Sequence, residues 1–287
     1  MRIVYGLQGT GKGHLARFLG LLPLFRQDAH EILLLVAGPA DPPGYFRQAI
    51  RGQEVLRFRG VSLVGDGRGG VARGKTALAF VASSRDLVRD RLRAARRIAD
   101  FRPDLVVSDL DPITSSRLVA PRATKVGLSN QALLHRRGVP RPPGHAWGRF
   151  EHRWVMTALA GGLRCQLACH FVPDVDDVLP PILRPEALAA RGRSGGHLLV
   201  YAPFSFLPPQ VEAYARRHPE RRVVVYGCPE RATEGNLHFE CDAARFVDDL
   251  ASAEAYVGAA GFQTICEAFY LGKKLVVWSV ERHYEQA

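Results

Sequence analysis

Cysteine is sparse and irregular in this 287-residue chain: five residues, an odd number, at 165, 169, 228, 241 and 266. The pattern fits neither a disulfide framework nor a zinc module, and it predicts a reduced, cytoplasmic protein. Long apolar runs are missing too. The longest, Ile32 to Ala37, has the length of a strand and not of a bilayer span. The start shows no signal-peptide pattern, because Met1-Arg2 leads straight into Ile3-Val4-Tyr5 and then into turn residues. Internal repeats and low-complexity tracts are absent. Lysine is scarce, supplying only 5 of the 39 basic residues, so the positive charge is almost all guanidinium.

What is present is an ordinary globular mixture, 47% hydrophobic and 23% charged, long enough for one large or two medium domains. The charge is unevenly spread. Residues 1–172 hold 27 basic against 12 acidic residues, and residues 173–287 hold 12 against 16. A basic first half suits nucleic acid, an anionic membrane surface or a phosphorylated substrate, and a plain solvated arginine-rich surface is equally compatible. The arginine richness comes without an aromatic–basic motif of the nucleic-acid-binding kind, which argues against nucleic acid as a partner.

Strand and helix patterns alternate in two series. The first opens with a buried-type strand, Arg2 to Leu7, a glycine loop, and a helix from His14 to about Gln27. Strands follow at 31–37, 55–58, 61–64, 104–108, 125–128 and 166–172. A long helix over 76–101 carries Leu78, Phe80, Val81, Leu87, Val88, Leu92, Ala95 and Ile98 on one broad face, and another spans about 146–163. Residues 136–145, rich in proline, glycine and arginine, read as a loop. The stretch 173–196, with Pro180-Pro181, Pro185 and Arg-Gly-Arg-Ser-Gly-Gly, has linker composition. A second series of strands and helices occupies 197–287. Alternation without hairpins implies parallel sheets. The expected architecture is α/β: a Rossmann-like domain over 1–172, a linker over 173–196 and a second Rossmann-like domain over 197–287, the two facing across a cleft. Ligands in such sheets sit beyond the carboxyl ends of the strands.

Gly6-Leu7-Gln8-Gly9-Thr10-Gly11-Lys12-Gly13 nearly matches a nucleotide-hydrolase phosphate loop, with Asp109 available as a metal-binding acid. The match fails at its last position, where Gly13 replaces the Ser or Thr whose hydroxyl holds magnesium. The other reading takes Gly9, Thr10, Gly11, Lys12 and Gly13 as a compact turn with exposed backbone N–H groups at a helix start. His14 then lies in the first helical turn. A neutral imidazole there can take a proton from a hydroxyl, and the positive helix end favours the neutral form. A capping or surface histidine is the plain alternative.

Gly9-Thr10-Gly11-Lys12-Gly13-His14-Leu15-Ala16-Arg17 resembles the G-x-G-x-G-H loop of GT-B glycosyltransferases, in the group related to the peptidoglycan lipid-II N-acetylglucosaminyltransferase and the UDP-glycosyltransferases. Further segments agree in order: Arg102 to Asp109, Gly235 to Phe239, Phe246 to Leu250, Gly261 to Ala268, Tyr270 to Lys274 and His283 to Gln286. The resemblance spans essentially the whole chain, and the C-terminal cluster is its most specific part. It implies inverting, metal-independent transfer of a sugar from a nucleotide-sugar donor, UDP-linked, to an acceptor hydroxyl, with lipid-linked acceptors and a peripheral place at the inner membrane face among the family's habits. No cofactor is implied beyond the donor itself.

Within that resemblance, Gly261, Phe262, Gln263 and Thr264 open a helix whose amides cradle the diphosphate, with a hydroxyl from Thr264 as a further donor. Glu267 accepts hydrogen bonds from the ribose hydroxyls, and Glu285 and Gln286 bond hydroxyls of the donor sugar. His14 is the expected general base and Asp109 its orienting partner, with Asp111 as the alternate. A turn before Pro112 is the plainer role for either aspartate. Two other readings stay open: a non-catalytic nucleotide-sugar-binding protein of the same fold, and a phosphate-loop hydrolase. Lys12, Ala260 and Lys274 depart from the family pattern. Relatives continue past the Glu285-Gln286 pair with further helices, so the second domain is expected to be shortened.

Several features are discounted. Cys165 and Cys169 are expected to be buried thiols sharing a strand face with Leu167, and His170 points the other way. Packing explains Cys266. His135, His145 and His152 read as surface or loop residues, and Trp147 and Trp154 as a core stripe.

Overall fold

The computed structural model describes residues 1–9, 12–38, 41–59, 64–67, 70, 72–136, 139, 143–171, 178–190, 195–281 and 284–286. The side chains of Arg73, Phe80, Ser83, Ser84, Leu87, His135 and Glu285 lie outside that set. The chain divides into two compact units. One comprises Met1–Pro42, Phe46–Leu63 and Arg73–Ile182, and the other Pro43–Tyr45, Val64–Ala72 and Leu183–Ala287.

The first unit is built on seven parallel strands: β1 (Arg2–Gln8), β2 (Glu31–Ala37), β3 (Glu54–Phe58), β4 (Leu105–Asp109), β5 (Thr124–Ser129), β6 (Cys165–Cys169) and β7 (Val178–Leu179). Their spatial order is β3-β2-β1-β4-β5-β6-β7. β1 and β2 are buried at every position but their first residues, as continuous apolar runs with both faces covered require. The helices are α1 (Lys12–Gln27), α2 (Gly44–Ala49), α3 (Arg73–Phe101) and α4 (Ala146–Ala160). Strand order reverses at β1, with β2 on one side and β4 on the other. That switch point is where such sheets bind ligands.

The second unit has helices α5 (Pro185–Ala189), α6 (Pro209–Arg217), α7 (Phe246–Ser252) and α8 (Phe262–Tyr270). Its strands are β8 (Leu198–Tyr201), β9 (Val223–Tyr226), β10 (Leu237–Glu240), β11 (Ala255–Ala259) and β12 (Lys274–Trp278). They are all parallel, in the order β10-β9-β8-β11-β12, so the reversal falls between β8 and β11. Its core is Leu199, Tyr226, Phe246, Leu250, Tyr256 and their neighbours, with the Tyr226 and Phe246 rings edge to face.

Four expectations are corrected. The stretch read as a linker carries structure on both sides of the crossing between units: Val178–Leu179 pairs with Ala168–Cys169 at the edge of the first sheet, and α5 lies in the second unit. Pro180 stops the strand after two residues, because proline cannot donate to a ladder. The apolar face of α3 is buried only toward its end, where Ala94, Ile98 and Phe101 join the core, while Leu78, Val81, Val88 and Leu92 are exposed. Trp147 and Trp154 are not core residues, at 64% and 68% exposed; α4 buries Met156 and Ala160 instead, against Leu110 and Leu163. Cys169 is buried as expected, but Cys165 begins its strand and is exposed. The strand expected at 61–64 lies mostly outside the described residues, half of the loop at 136–145 does, and residues 173–177 and 191–194 of the expected linker lie wholly outside them.

Candidate active site

The first cluster forms at the reversal in the first sheet. After β1 the chain stays close to β2: the Gly9 N–H donates to Ala37 O at 2.5 Å, and a Cβ at Gly9 would lie 2.9 Å from Val36 Cγ1. Only glycine fits there without displacement. Thr10 and Gly11 lie outside the described residues. Lys12 and Gly13 form the first turn of α1 and not a loop, so the helix begins two residues earlier than its pattern suggests. Lys12 is exposed.

His14 and Arg17 lie one turn apart on α1, spacing that puts both side chains on one helix face. Both meet Asp109, the last residue of β4, which pairs in register with Leu7 of β1. His14 Nδ1 lies 2.8 Å from Asp109 Oδ1. Arg17 Nη1 lies 2.6 Å from each carboxylate oxygen, and its Nη2 donates to Asn130 Oδ1 at 2.8 Å. An ionised carboxylate can only accept. Nδ1 of His14 therefore carries a hydrogen, and in the neutral ring Nε2 is the nitrogen with a lone pair.

Burial pushes the Asp109 carboxyl up, but Arg17 and His14 outweigh it and hold the group below its ordinary value. Burial disfavours the charged form of Arg17, and Asp109 more than reverses this. Asp109 is thus an anion with a fixed counter-ion. The surrounding groups stay neutral: burial raises both the Tyr5 hydroxyl and the Cys169 thiol.

Asp111 does not reach His14. Its Oδ2 accepts the Thr114 N–H at 2.8 Å and the Thr114 hydroxyl at 2.7 Å, the turn role that the following Pro112 suggests. Burial raises its carboxyl pKa.

The second cluster forms where β11 leads into α8, at the reversal of the second sheet. Gly261 is the N-cap of α8 and brings no side chain of its own to that end, and a Cβ on Gly261 would meet nothing within 4 Å. The cradle is narrower than expected, because the Ala260 N–H donates to Trp278 O and the Gly261 N–H to Ala259 O. The first turn, Phe262, Gln263 and Thr264, supplies the amides that a helix start points outward. The Thr264 side chain hydrogen-bonds the buried Tyr256 hydroxyl.

Glu267 departs most from expectation. It is fully buried, with Arg184 Nε 2.8 Å from Oε1, Arg184 Nη2 2.5 Å from Oε2 and Gln263 Nε2 3.0 Å from Oε1. The carboxylate expected as a ribose acceptor already takes three hydrogen bonds from the protein itself. Gln286 Oε1 likewise accepts the Val280 N–H at 3.0 Å. The Glu285 side chain lies outside the described set.

The structure therefore gathers His14 and Asp109 in the first unit, and Gly261, Phe262, Gln263, Thr264 and Glu267 in the second. Sequence reasoning missed Arg17, Asn130 and Arg184. For Arg17 a signal existed, a cation three residues after His14 on a helix. Arg184 gave none, as it stands in a stretch that reads as linker.

The chain matches the family described as glycosyl transferase family 1 over residues 1–287. A search of curated proteins finds no match. Among solved structures it is similar to the calicheamicin glycosyltransferase, at 19% identity with a TM-score of 0.58, covering 100% of this chain and 82% of that one. It is also similar to a spinosyn rhamnosyltransferase complexed with thymidine diphosphate, at 15% identity and a TM-score of 0.57, with coverage of 100% and 82%. A Streptomyces sp. SF2575 glycosyltransferase complexed with thymidine diphosphate has 13% identity and a TM-score of 0.60, with coverage of 99% and 83%.

Proposed function

The chain belongs to glycosyl transferase family 1, and from that premise we propose that it carries out inverting, metal-independent sugar transfer with His14 as general base. The donor is a nucleoside-diphosphate sugar, UDP-linked as the family resemblance implies. The acceptor hydroxyl gives its proton to His14 Nε2 while its oxygen bonds to the anomeric carbon. The bond from that carbon to the diphosphate oxygen breaks on the opposite side, and the nucleoside diphosphate leaves with the electron pair.

The observation that carries this reading is the 2.8 Å contact between His14 Nδ1 and Asp109 Oδ1. It sets the tautomer that can accept a proton and places an anion beside the imidazolium that forms. The glycine N-cap of α8 supports the donor half, since a helix start and its dipole favour a diphosphate without a metal ion. Two similar structures carry thymidine diphosphate, so a nucleoside diphosphate suits this fold.

A lipid-linked acceptor at an anionic membrane face, on the cytoplasmic side, extends the reading. It is supported by the basic excess of residues 1–172 and by exposed Trp147, Phe150 and Trp154 on α4, interspersed with Arg149 and Arg153. Among the described residues, no helix is long and apolar enough to cross a membrane.

The test is turnover of a panel of nucleotide sugars by the wild type and by His14→Ala, with UDP and thymidine diphosphate titrated into both by calorimetry. The variant is expected to lose about 10²–10⁴-fold in transfer, the usual worth of a positioned base, and to keep its nucleotide affinity. Transfer retained at the wild-type rate would remove His14 as the base.

A further inference from the structure

Asp109 serves two donors, a guanidinium and an imidazole, and that sharing has consequences for His14. The carboxylate is fully buried at the end of β4, with His14 Nδ1 2.8 Å from Oδ1 and Arg17 Nη1 2.6 Å from both oxygens. Arg17 is itself buried, and its other arm ends on Asn130 beyond β5. One side chain thus ties α1 to β4 and to the residue after β5.

We infer that Arg17 is a positioning residue that acts through Asp109, fixing the rotation of α1 and sharing with His14 the carboxylate that orients its ring. The inference rests on His14 being the base.

The argument is electrostatic. With neutral His14 the group of three sums to zero charge, and with imidazolium it sums to one positive charge in a buried place. Arg17 Nη1 lies 3.5 Å from Nδ1, so a protonated ring would face a fixed guanidinium almost as near as its carboxylate. An Asp–His pair alone would hold the extra proton more firmly. Of the described titratable groups packed around Arg17 and Asp109, Tyr5 of β1 and Cys169 of β6 face the guanidinium in neutral form, and Asp111 is turned to Thr114.

The test uses the full chain with labelled histidine, following the His14 ring by NMR across pH in wild type and Arg17→Gln, with His14→Ala identifying its signals. The acid limb of kcat/KM is measured in parallel. Removing the guanidinium is expected to move the midpoint of ring protonation upward by about one pH unit or more, as an unshared carboxylate does to a neighbouring cation, and to move the acid limb with it. A midpoint coinciding with that of the wild type would overturn the inference and leave Arg17 a plain structural residue.

A moved midpoint with an unmoved acid limb would uphold the charge link and remove His14 as the base, which separates the two failures. Because Arg17→Gln strips a buried carboxylate of its cation, Asn130→Asp provides a second arm. It is nearly isosteric and sets an anion on Nη2, and the same upward movement is expected. A still midpoint there would count equally against the inference.

Discussion

Arg184 grips both oxygens of Glu267, Nε to Oε1 at 2.8 Å and Nη2 to Oε2 at 2.5 Å, inside the second unit. Gln263 adds a third donor one turn earlier on α8, and the guanidinium lies 5.9 Å from the centre of the Phe246 ring. The pair joins the residue before α5 to the helix that starts the donor cluster. Glu267 therefore first answers a structural need, whatever else it binds.

This pairing predicts a non-additive mutational response. Glu267→Gln leaves a buried guanidinium without its anion, and Arg184→Met leaves a buried carboxylate without its cation. Each single change should cost about 3–5 kcal/mol in urea unfolding, the cost of breaking a buried pair. The double change to Met and Gln should cost less than the sum, because no charge is then orphaned. Strict additivity would show that the two side chains do not depend on each other.

The first site makes a similar demand on a smaller residue. Gly6 of β1 lies opposite Ser108 of β4, and a Cβ there would fall 2.3 Å from Thr114 Oγ1 and 2.5 Å from Asp111 Oδ2. Those atoms are buried and bonded to each other, so they have little room to yield. Gly6→Ala should destabilise the fold by about 1–3 kcal/mol through overpacking. It should also slow transfer, because Asp111 follows Asp109 by two residues and the displaced turn shifts the partner of His14. A variant with wild-type melting temperature and wild-type kcat would show that the turn has slack.

The legible part of this protein was its periodicity. Runs such as Ile3-Val4-Tyr5 and Ile32 to Ala37 are apolar throughout because both sheet faces are covered, and glycine-marked helix starts at the ends of β1 and β11 locate both clusters. Two kinds of feature were not legible. Long-range ion pairs such as Arg17–Asp109 and Arg184–Glu267 join residues 92 and 83 positions apart; the spacing of Arg17 from His14 hints at one partner, but nothing local names the other. Exposure of a helical stripe was the other. Trp147 and Trp154 have core spacing, but spacing says only that a face exists, not that another element covers it.

That uncovered stripe gives a prediction about surfaces. Trp147 and Phe150 stack at 5.5 Å between ring centres, and Trp154 continues the same face of α4, with Arg149 and Arg153 beside them. Indole and guanidinium together suit the interface of an anionic bilayer. The chain should pellet with vesicles containing phosphatidylserine more than with neutral vesicles. Trp147→Ala combined with Trp154→Ala should reduce that pelleting without lowering the melting temperature, since neither ring is in the core. Equal pelleting of wild type and variant on anionic vesicles would exclude α4 as the contact.

His197 provides the pH dependence of the second unit. It is buried ahead of β8, and its Nε2 donates to Asp249 O at 3.1 Å. Burial lowers its pKa from the usual 6.5, and the hydrogen bond to Asp249 only partly offsets this. The folded chain thus binds a proton at this ring less readily than the unfolded chain does. The sign follows from linkage: the stability the neutral ring allows is present above about pH 6.5 and is lost as pH falls below it through the depressed folded value. Thermal melts at falling pH should show the wild type losing stability faster than His197→Gln over that window, because glutamine can supply an N–H toward Asp249 without titrating. Parallel slopes for the two proteins between neutral pH and the depressed midpoint would mean that the ring is hydrated enough to charge freely in the folded state.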